Sequence, residues 1–216
     1  MRAPSDLKHA LSTTFGAWAG TPAPDNRAAQ ILSAVCRDGR HEPRVRAAYE
    51  RYRSKPEDAI NRPLGNPSWM PQRHWVLFFL GRTLGNLGAA SSVDSLLASL
   101  VPELNEARHG RPDPSEPNIH FLQLEYTPCW RVTAAWALGR IGDRRAVPAL
   151  LAVAGDLRNA VDVRHAAAEA LLRLASPADQ EALQRLAREY PEHSVRRVLL
   201  RAVARASGQP PIGMLE

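Results

Sequence analysis

The sequence predicts an all-α chain built as a stack of helix pairs, and three observations carry that expectation. Apolar residues recur at helical spacing, and no stretch alternates apolar and polar residues for long enough to make a strand. Helix start and stop residues punctuate the chain at short intervals. The third observation is the strongest: the helical segments repeat one another at a spacing of 33 residues.

The elements follow in order from this punctuation. Asp25-Asn26 can cap a helix from Arg27 to about Arg37, closed by Gly39. Pro43 suits the first helical position of a second, running through Arg53. Pro71 opens a third over Gln72–Leu87, with Gly88 as its stop. Ser92 then caps Val93–Leu100, and Thr127-Pro128 opens Cys129–Ile141 before Gly142. Asp143 caps Arg144–Ala154 ahead of Gly155, and Asp162 begins Val163–Leu174. Ser176-Pro177-Ala178-Asp179 reads as a capped start for a helix to about Glu189. Pro191 leads into the last helix, which reaches Arg205; the tail 207–216, with Gly208, Pro210, Pro211 and Gly213, is expected to be flexible.

Internal similarity ties these helices together. Trp130-Arg131-Val132-Thr133-Ala134-Ala135-Trp136-Ala137-Leu138-Gly139-Arg140-Ile141 aligns with Val163-Arg164-His165-Ala166-Ala167-Ala168-Glu169-Ala170-Leu171-Leu172-Arg173-Leu174 at a shift of 33. Val195-Arg196 repeats the opening 32 residues later, and Val45-Arg46-Ala47-Ala48 repeats it upstream. Leu84-Gly85-Asn86-Leu87-Gly88 matches Leu138-Gly139-Arg140-Ile141-Gly142 at a shift of 54. A shift that long implies an insertion, and residues 105–128 are the candidate. Alanines 134, 135, 167 and 168 permit close helix approach, while Leu138, Ile141, Leu171 and Leu174 face a shared core. One such pair cannot bury its own apolar face, so neighbours must stack.

The runs over 130–151 and 163–174 resemble the short bacterial HEAT-like repeat, the type first associated with phycobilisome lyases. The resemblance is strong over 130–206, fair over 72–100 and weak over 27–60. It implies a right-handed α-solenoid of about four to five antiparallel helix pairs with a concave inner face. Residues 25–206 would form the repeat domain with the 105–128 insertion, preceded by an N-terminal arm, 1–24. The Val-Arg opening of the second helices implies a structural ladder of Arg131, Arg164 and Arg196, pairing with acids such as Asp162.

Composition bounds the function. The chain has 216 residues, a net charge of +6 and a pI near 10.0, and only Lys8 and Lys55 among its 28 basic residues are lysine. Arginine bias has a genomic explanation, but the planar guanidinium also suits phosphate and carboxylate partners. The charge asymmetry along the chain is mild, short of a dedicated nucleic-acid binder. The longest apolar run, Ala146–Ala154, is far below the roughly 20 residues a membrane span needs. Cys36 and Cys129 stand apart without metal spacing, as expected of free thiols in a reducing compartment. The first residues make a poor export signal, with Asp6 where positive charge is wanted. A cytoplasmic protein is expected.

No catalytic constellation is visible, and catalysis is not expected. His41-Glu42 is the sole His-Glu dipeptide, whereas HEAT-repeat metal hydroxylases such as deoxyhypusine hydroxylase use several; no metal and no cofactor are expected. Trp69, Trp75, Trp130 and Trp136 flank two matching helix starts, either as core plugs or as an aromatic wall for a ligand. The insertion carries Arg108, Arg111, His120, Phe121 and Tyr126, and long loops in compact folds are usually functional or disordered. With loop 61–70 it would crowd one rim of the stack. Arg37, Arg40, Arg44, Arg46, Arg51 and Arg53 form the densest basic patch, though acids interleave with it. Arg196, Arg197, Arg201 and Arg205 could line one face of the last helix. The leading expectation is a scaffold or adaptor that binds a protein partner through its inner face and rim loops. Nucleic-acid binding, resembling the HEAT-like alkylpurine DNA glycosylases, is the alternative, and a bilin lyase-like activity a minor one.

Overall fold

The computed structural model describes residues 38–54, 72–101, 129–188 and 190–208. The N-terminal arm, the helix expected over 27–37, both rim loops and the tail from residue 209 lie outside them. The described residues form eight α-helices, with no strand among them: α1 (Glu42–Arg53), α2 (Gln72–Leu87), α3 (Val93–Ala98), α4 (Cys129–Ile141), α5 (Val147–Gly155), α6 (Val161–Leu174), α7 (Gln180–Arg188) and α8 (His193–Ala206).

They pair as α1–α2, α3–α4, α5–α6 and α7–α8, in two layers. The second members α2, α4, α6 and α8 pack side by side in a row, while α1, α3, α5 and α7 lie across them. This is an α-solenoid of helix pairs. Each first-layer helix is entered through a 3-10 turn: Gly39–His41, Ala90–Ser92, Arg144–Ala146 and Pro177–Asp179. Two of these turns are held by an aspartate that accepts from the backbone two residues on, Asp38 from Arg40 at 3.0 Å and Asp143 from Arg145 at 2.9 Å. Ser176 and Asp179 close a third as a capping box.

The expected boundaries hold with local differences. The helix begun by Val93 ends at Ala98, because Ser99 and Leu100 turn out of it. Ser92 does not cap α3; its hydroxyl donates to Glu42 Oε1 at 2.6 Å and ties α3 to α1. Asp162 sits inside the first turn of α6 rather than before it. Val45-Arg46 resembles a second-helix opening, yet α1 occupies a first-layer position, and Arg46 pairs with Glu42 and Glu50 of its own helix.

Equivalent positions build the core. Leu84, Leu138 and Leu171 are fully buried on successive second helices, as are Leu96, Leu150 and Leu183 on successive first helices. Each such leucine contributes roughly 1.5–3 kcal/mol by leaving water. The row of second helices closes through glycine facing alanine. A Cβ on Gly85 would lie 2.9 Å from Ala137 Cα and 2.7 Å from the Trp136 ring, and one on Gly139 would lie 2.7 Å from Ala170 Cα. Those neighbours include backbone, so the helices would have to part. Gly139→Ala is therefore expected to destabilise by about 1–3 kcal/mol, lowering Tm by about 2–4 °C for each kcal/mol. Gly39→Ala, with nothing within 4 Å of its Cβ, is the control that should leave a thermal melt unchanged.

Candidate functional site

Two arginine systems grow out of the second-helix row, one buried and one exposed. The buried one links the repeats. Arg131, 1% exposed, donates from Nε and Nη2 to the Leu100 carbonyl at 3.1 and 2.7 Å, and from Nη2 to Asn159 Oδ1 at 2.8 Å. Asn159 in turn donates to the Val153 carbonyl at 3.0 Å and accepts at its own carbonyl from Arg164 Nε at 3.0 Å. Arg164 reaches on to Tyr190 Oη at 3.1 Å and to both oxygens of Glu192 at 2.5 and 2.6 Å. The Tyr190 hydroxyl donates to the Ala154 carbonyl at 2.5 Å. Each arginine thus spans to the loop preceding the next second helix, and every link is a group that burial would otherwise penalise.

The exposed system lies on the opposite side of the same helices. Three sets of equivalent positions line their open face: Phe78, Val132, His165 and Arg197; Arg82, Trp136, Glu169 and Arg201; Asn86, Arg140, Arg173 and Arg205. These twelve positions hold six arginines against one acid, Glu169, and exposed Asp162 falls on the same side of α6 in its first turn. Those six, and Arg196 beside them, are exposed and make no ion pair among the described residues. Elsewhere most arginines are paired, although Arg44, Arg51 and Arg188 are exposed and make no ion pair among the described residues. Arg40 meets Asp38, Arg46 meets Glu42, Arg144 meets Asp179, Arg145 meets Asp143, Arg158 meets Asp156 and Arg185 meets Glu181, all at 2.7–3.0 Å.

At the α2–α4 junction the open face gathers a distinct cluster. The Arg82 guanidinium lies 3.7 Å from the centroid of the Trp136 ring, and that of Arg140 lies 5.8 Å from the same centroid. Arg140 Nε also donates to Asn86 Oδ1 at 3.2 Å. Burial against the ring, and then the charge of Arg140, lower the Arg82 pKa from its ordinary value. Gly85 makes the arrangement possible, since a side chain there would strike Trp136.

The positions singled out from the sequence fall unevenly on this structure. Trp136 joins the open face, half-buried under Arg82. Trp130 is 2% exposed and belongs to the core, so it offers no wall to a ligand. Trp75 falls within α2. Trp69, Arg108, Arg111, His120, Phe121 and Tyr126 lie outside the described residues. Of the basic patch, Arg37 is also outside, Arg40 and Arg46 are matched by acids, Arg44 and Arg51 are exposed on α1, and Arg53 is half-buried. The acid on Arg164 is Glu192, and Asp162 is exposed in the first turn of α6. Arg196, at the position of Arg131 and Arg164, is exposed instead of buried. Asn159, Tyr190, Arg82, Arg140 and Arg173 were not singled out. The 33-residue alignment could have flagged Arg140 and Arg173, which are identical in it, whereas Asn159 and Tyr190 lie in loops that do not repeat.

Among the described residues, no group of three or more His, Cys, Asp or Glu side chains could hold a metal ion. No described helix is long and apolar enough to cross a membrane. A shallow groove of about 430 Å³ runs between α5 and α7, lined mainly by Leu151, Leu157, Ala182 and Leu186 and offering only Arg185 as a charged group. A family model described as HEAT repeats matches residues 125–204. The chain is similar to HEAT repeats over that span, which reaches from α4 into α8. No curated protein matches the chain.

Two predictions follow from the buried system. Arg131→Met strips hydrogen bonds from the buried Leu100 carbonyl and Asn159 side chain, and is expected to cost about 2–5 kcal/mol, read as a lower urea midpoint. Glu192 gives a pH signature. The hydrogen bonds from Arg164 hold its carboxyl below the ordinary value of 4.5, so the native state binds its proton less readily than the unfolded chain. The resulting stability is present above that ordinary value and is lost as pH falls through the native one. Glu192→Gln should melt below the parent at pH 7, with the gap closing under acid; a constant gap at all pH values would remove the charge from the explanation.

Proposed function

We propose that this HEAT-like repeat protein is a non-catalytic scaffold that binds a protein partner through the open face of α2, α4, α6 and α8. The observation that carries the reading is the division of the arginines. Those of the first layer and its entry turns are mostly matched by acids, while the second-layer face carries six arginines, outnumbering Asp162 and Glu169, that make no ion pair among the described residues. An intramolecular role would call for partners, and a face lacking them is disposed toward an external one. Its composition, with Trp136, Phe78 and several arginines and no lysine, is that of the energetically dominant parts of protein interfaces. HEAT repeats generally serve protein interaction, and a repeated helix surface needs no catalytic group to do so. The repeat type would be the short bacterial one that the Val-Arg openings resemble, and the inserted loops 61–70 and 105–128 would extend the contact at its rim.

Nucleic-acid binding is the second reading, favoured by the same excess of arginine. Crosslinking of the purified chain in lysate of its source organism separates the readings. The triple variant Arg140→Glu, Arg173→Glu, Arg205→Glu is expected to melt like the parent and to lose protein crosslinks at least tenfold. An unchanged set of protein partners would move the contact off this face. Crosslinks dominated by nucleic acid and abolished by nuclease would replace the scaffold reading with the second one.

A further inference from the structure

Arg82 and Arg140 pose a specific electrostatic problem. They come from neighbouring repeats, lie against the same tryptophan, and neither meets an acid among the described residues. Two guanidinium groups gathered at one ring repel each other, and each raises the cost of desolvating its neighbour. The Arg82 guanidinium carbon lies 3.7 Å from the Trp136 centroid, close enough for the ring to hold it in place. A guanidinium held in this way has already lost the rotamer freedom that binding would otherwise cost. Planar donors suit a planar bidentate acceptor.

Resting on the scaffold reading above, we infer that Arg82, Trp136 and Arg140 form a carboxylate clamp that anchors an acidic segment of the partner protein. One carboxylate bridges the two guanidinium groups across the α2–α4 junction. Further acids of the segment follow the equivalent arginines Arg173 and Arg205 along the helix row. Helices packed side by side lie about 8–10 Å apart, a step that an extended chain covers in about three residues. Two features favour an acidic peptide over a nucleic acid. Arg82 covers a face of Trp136 on which a base would stack, and Glu169 stands in the middle of the face, where a continuous phosphate backbone would meet it. Half-buried Val132, one helical turn before Trp136, gives an apolar side chain of the segment a seat beside the clamp.

The test is fluorescence anisotropy on the full chain at near-physiological salt. The probes are a labelled peptide of alternating aspartate and leucine, its asparagine counterpart, and a single-stranded oligonucleotide of matched charge. The acidic peptide is expected to bind and the asparagine peptide to fail. Arg82→Gln and Arg140→Gln should each weaken the acidic peptide by roughly tenfold or more, as expected for loss of a charged hydrogen bond. Arg185→Gln removes the same charge from the first layer and should leave binding unchanged. Trp136→Leu should weaken binding with both arginines retained, which a purely electrostatic attraction would not show. Absence of peptide binding to the parent chain overturns the clamp, as does equal weakening by Arg185→Gln. Tighter binding of the oligonucleotide, sensitive to the same arginines, overturns the peptide as occupant. Peptide binding that ignores Arg82→Gln and Arg140→Gln yet is lost on reversing Arg173 and Arg205 removes the clamp and leaves the scaffold face standing.

Discussion

A buried arginine at the start of a second helix is the constraint on which the stack depends. Arg131 and Arg164 are among the few charged side chains in the interior, and each is tolerable only because its donors are consumed. Their acceptors are not in their own helices. They are the carbonyl of Leu100, the side chain and carbonyl of Asn159, the hydroxyl of Tyr190 and the carboxylate of Glu192. Leu100 and the Asn159 carbonyl lie in the inter-helix loop of the arginine's own pair, whereas the Asn159 side chain, Tyr190 and Glu192 come from the loop of the next pair. Apolar packing between helix pairs is adaptable in register, because leucine and alanine accept many offsets. A buried guanidinium is not adaptable, since a slip would strand its donors away from water. The apolar rows supply most of the driving force for stacking, and the arginine relay restricts the stack to one register.

The same residue type does opposite work on the two sides of the second helices. Inward, arginine is short of water and fully bonded. On the open face it is exposed and makes no ion pair among the described residues. The first layer shows that the chain readily matches an exposed arginine with an acid, often two residues away in an entry turn, as with Asp38 and Arg40 or Asp143 and Arg145. Such pairs add little stability at an exposed site, but they cancel charge locally. Their absence over α2, α4, α6 and α8 leaves a coherent positive field where the layer faces solvent.

Much of this architecture was legible in the sequence because repeats expose their own logic. The 33-residue shift brought Leu138 onto Leu171 and Ala137 onto Ala170, and the 54-residue shift brought Gly85 onto Gly139. Burial and close contact follow those alignments. What the alignment could not supply was layer assignment. Val45-Arg46 has the local pattern of a second helix, but the 3-10 entry before α1 and the acids at Glu42 and Glu50 set it in the first layer. The relay was only half legible. The arginines repeat, but their acceptors are backbone carbonyls and loop side chains, and a carbonyl has no letter in the sequence. Trp130 and Trp136 show the same limit. They lie six residues apart on one helix, at azimuths about 120° apart, so one faces the core and the other the open face.

Trp136 brings the two levels together. At the equivalent position the other repeats carry Arg82, Glu169 and Arg201, so a large ring there departs from the pattern and needs room. Gly85 supplies it, and the repeat of that glycine at Gly139 shows that the tight approach belongs to the fold before it belongs to any site. The ring lies across the junction between two repeats and holds an arginine from the earlier one. A flexible exposed arginine is thereby converted into an oriented donor without any change to the buried relay beneath it. On the proposed reading, recognition lies on the solvent side of helices whose buried arginines bond on the other side. A substitution on the open face can therefore alter what the stack binds while the interior continues to set how it stacks.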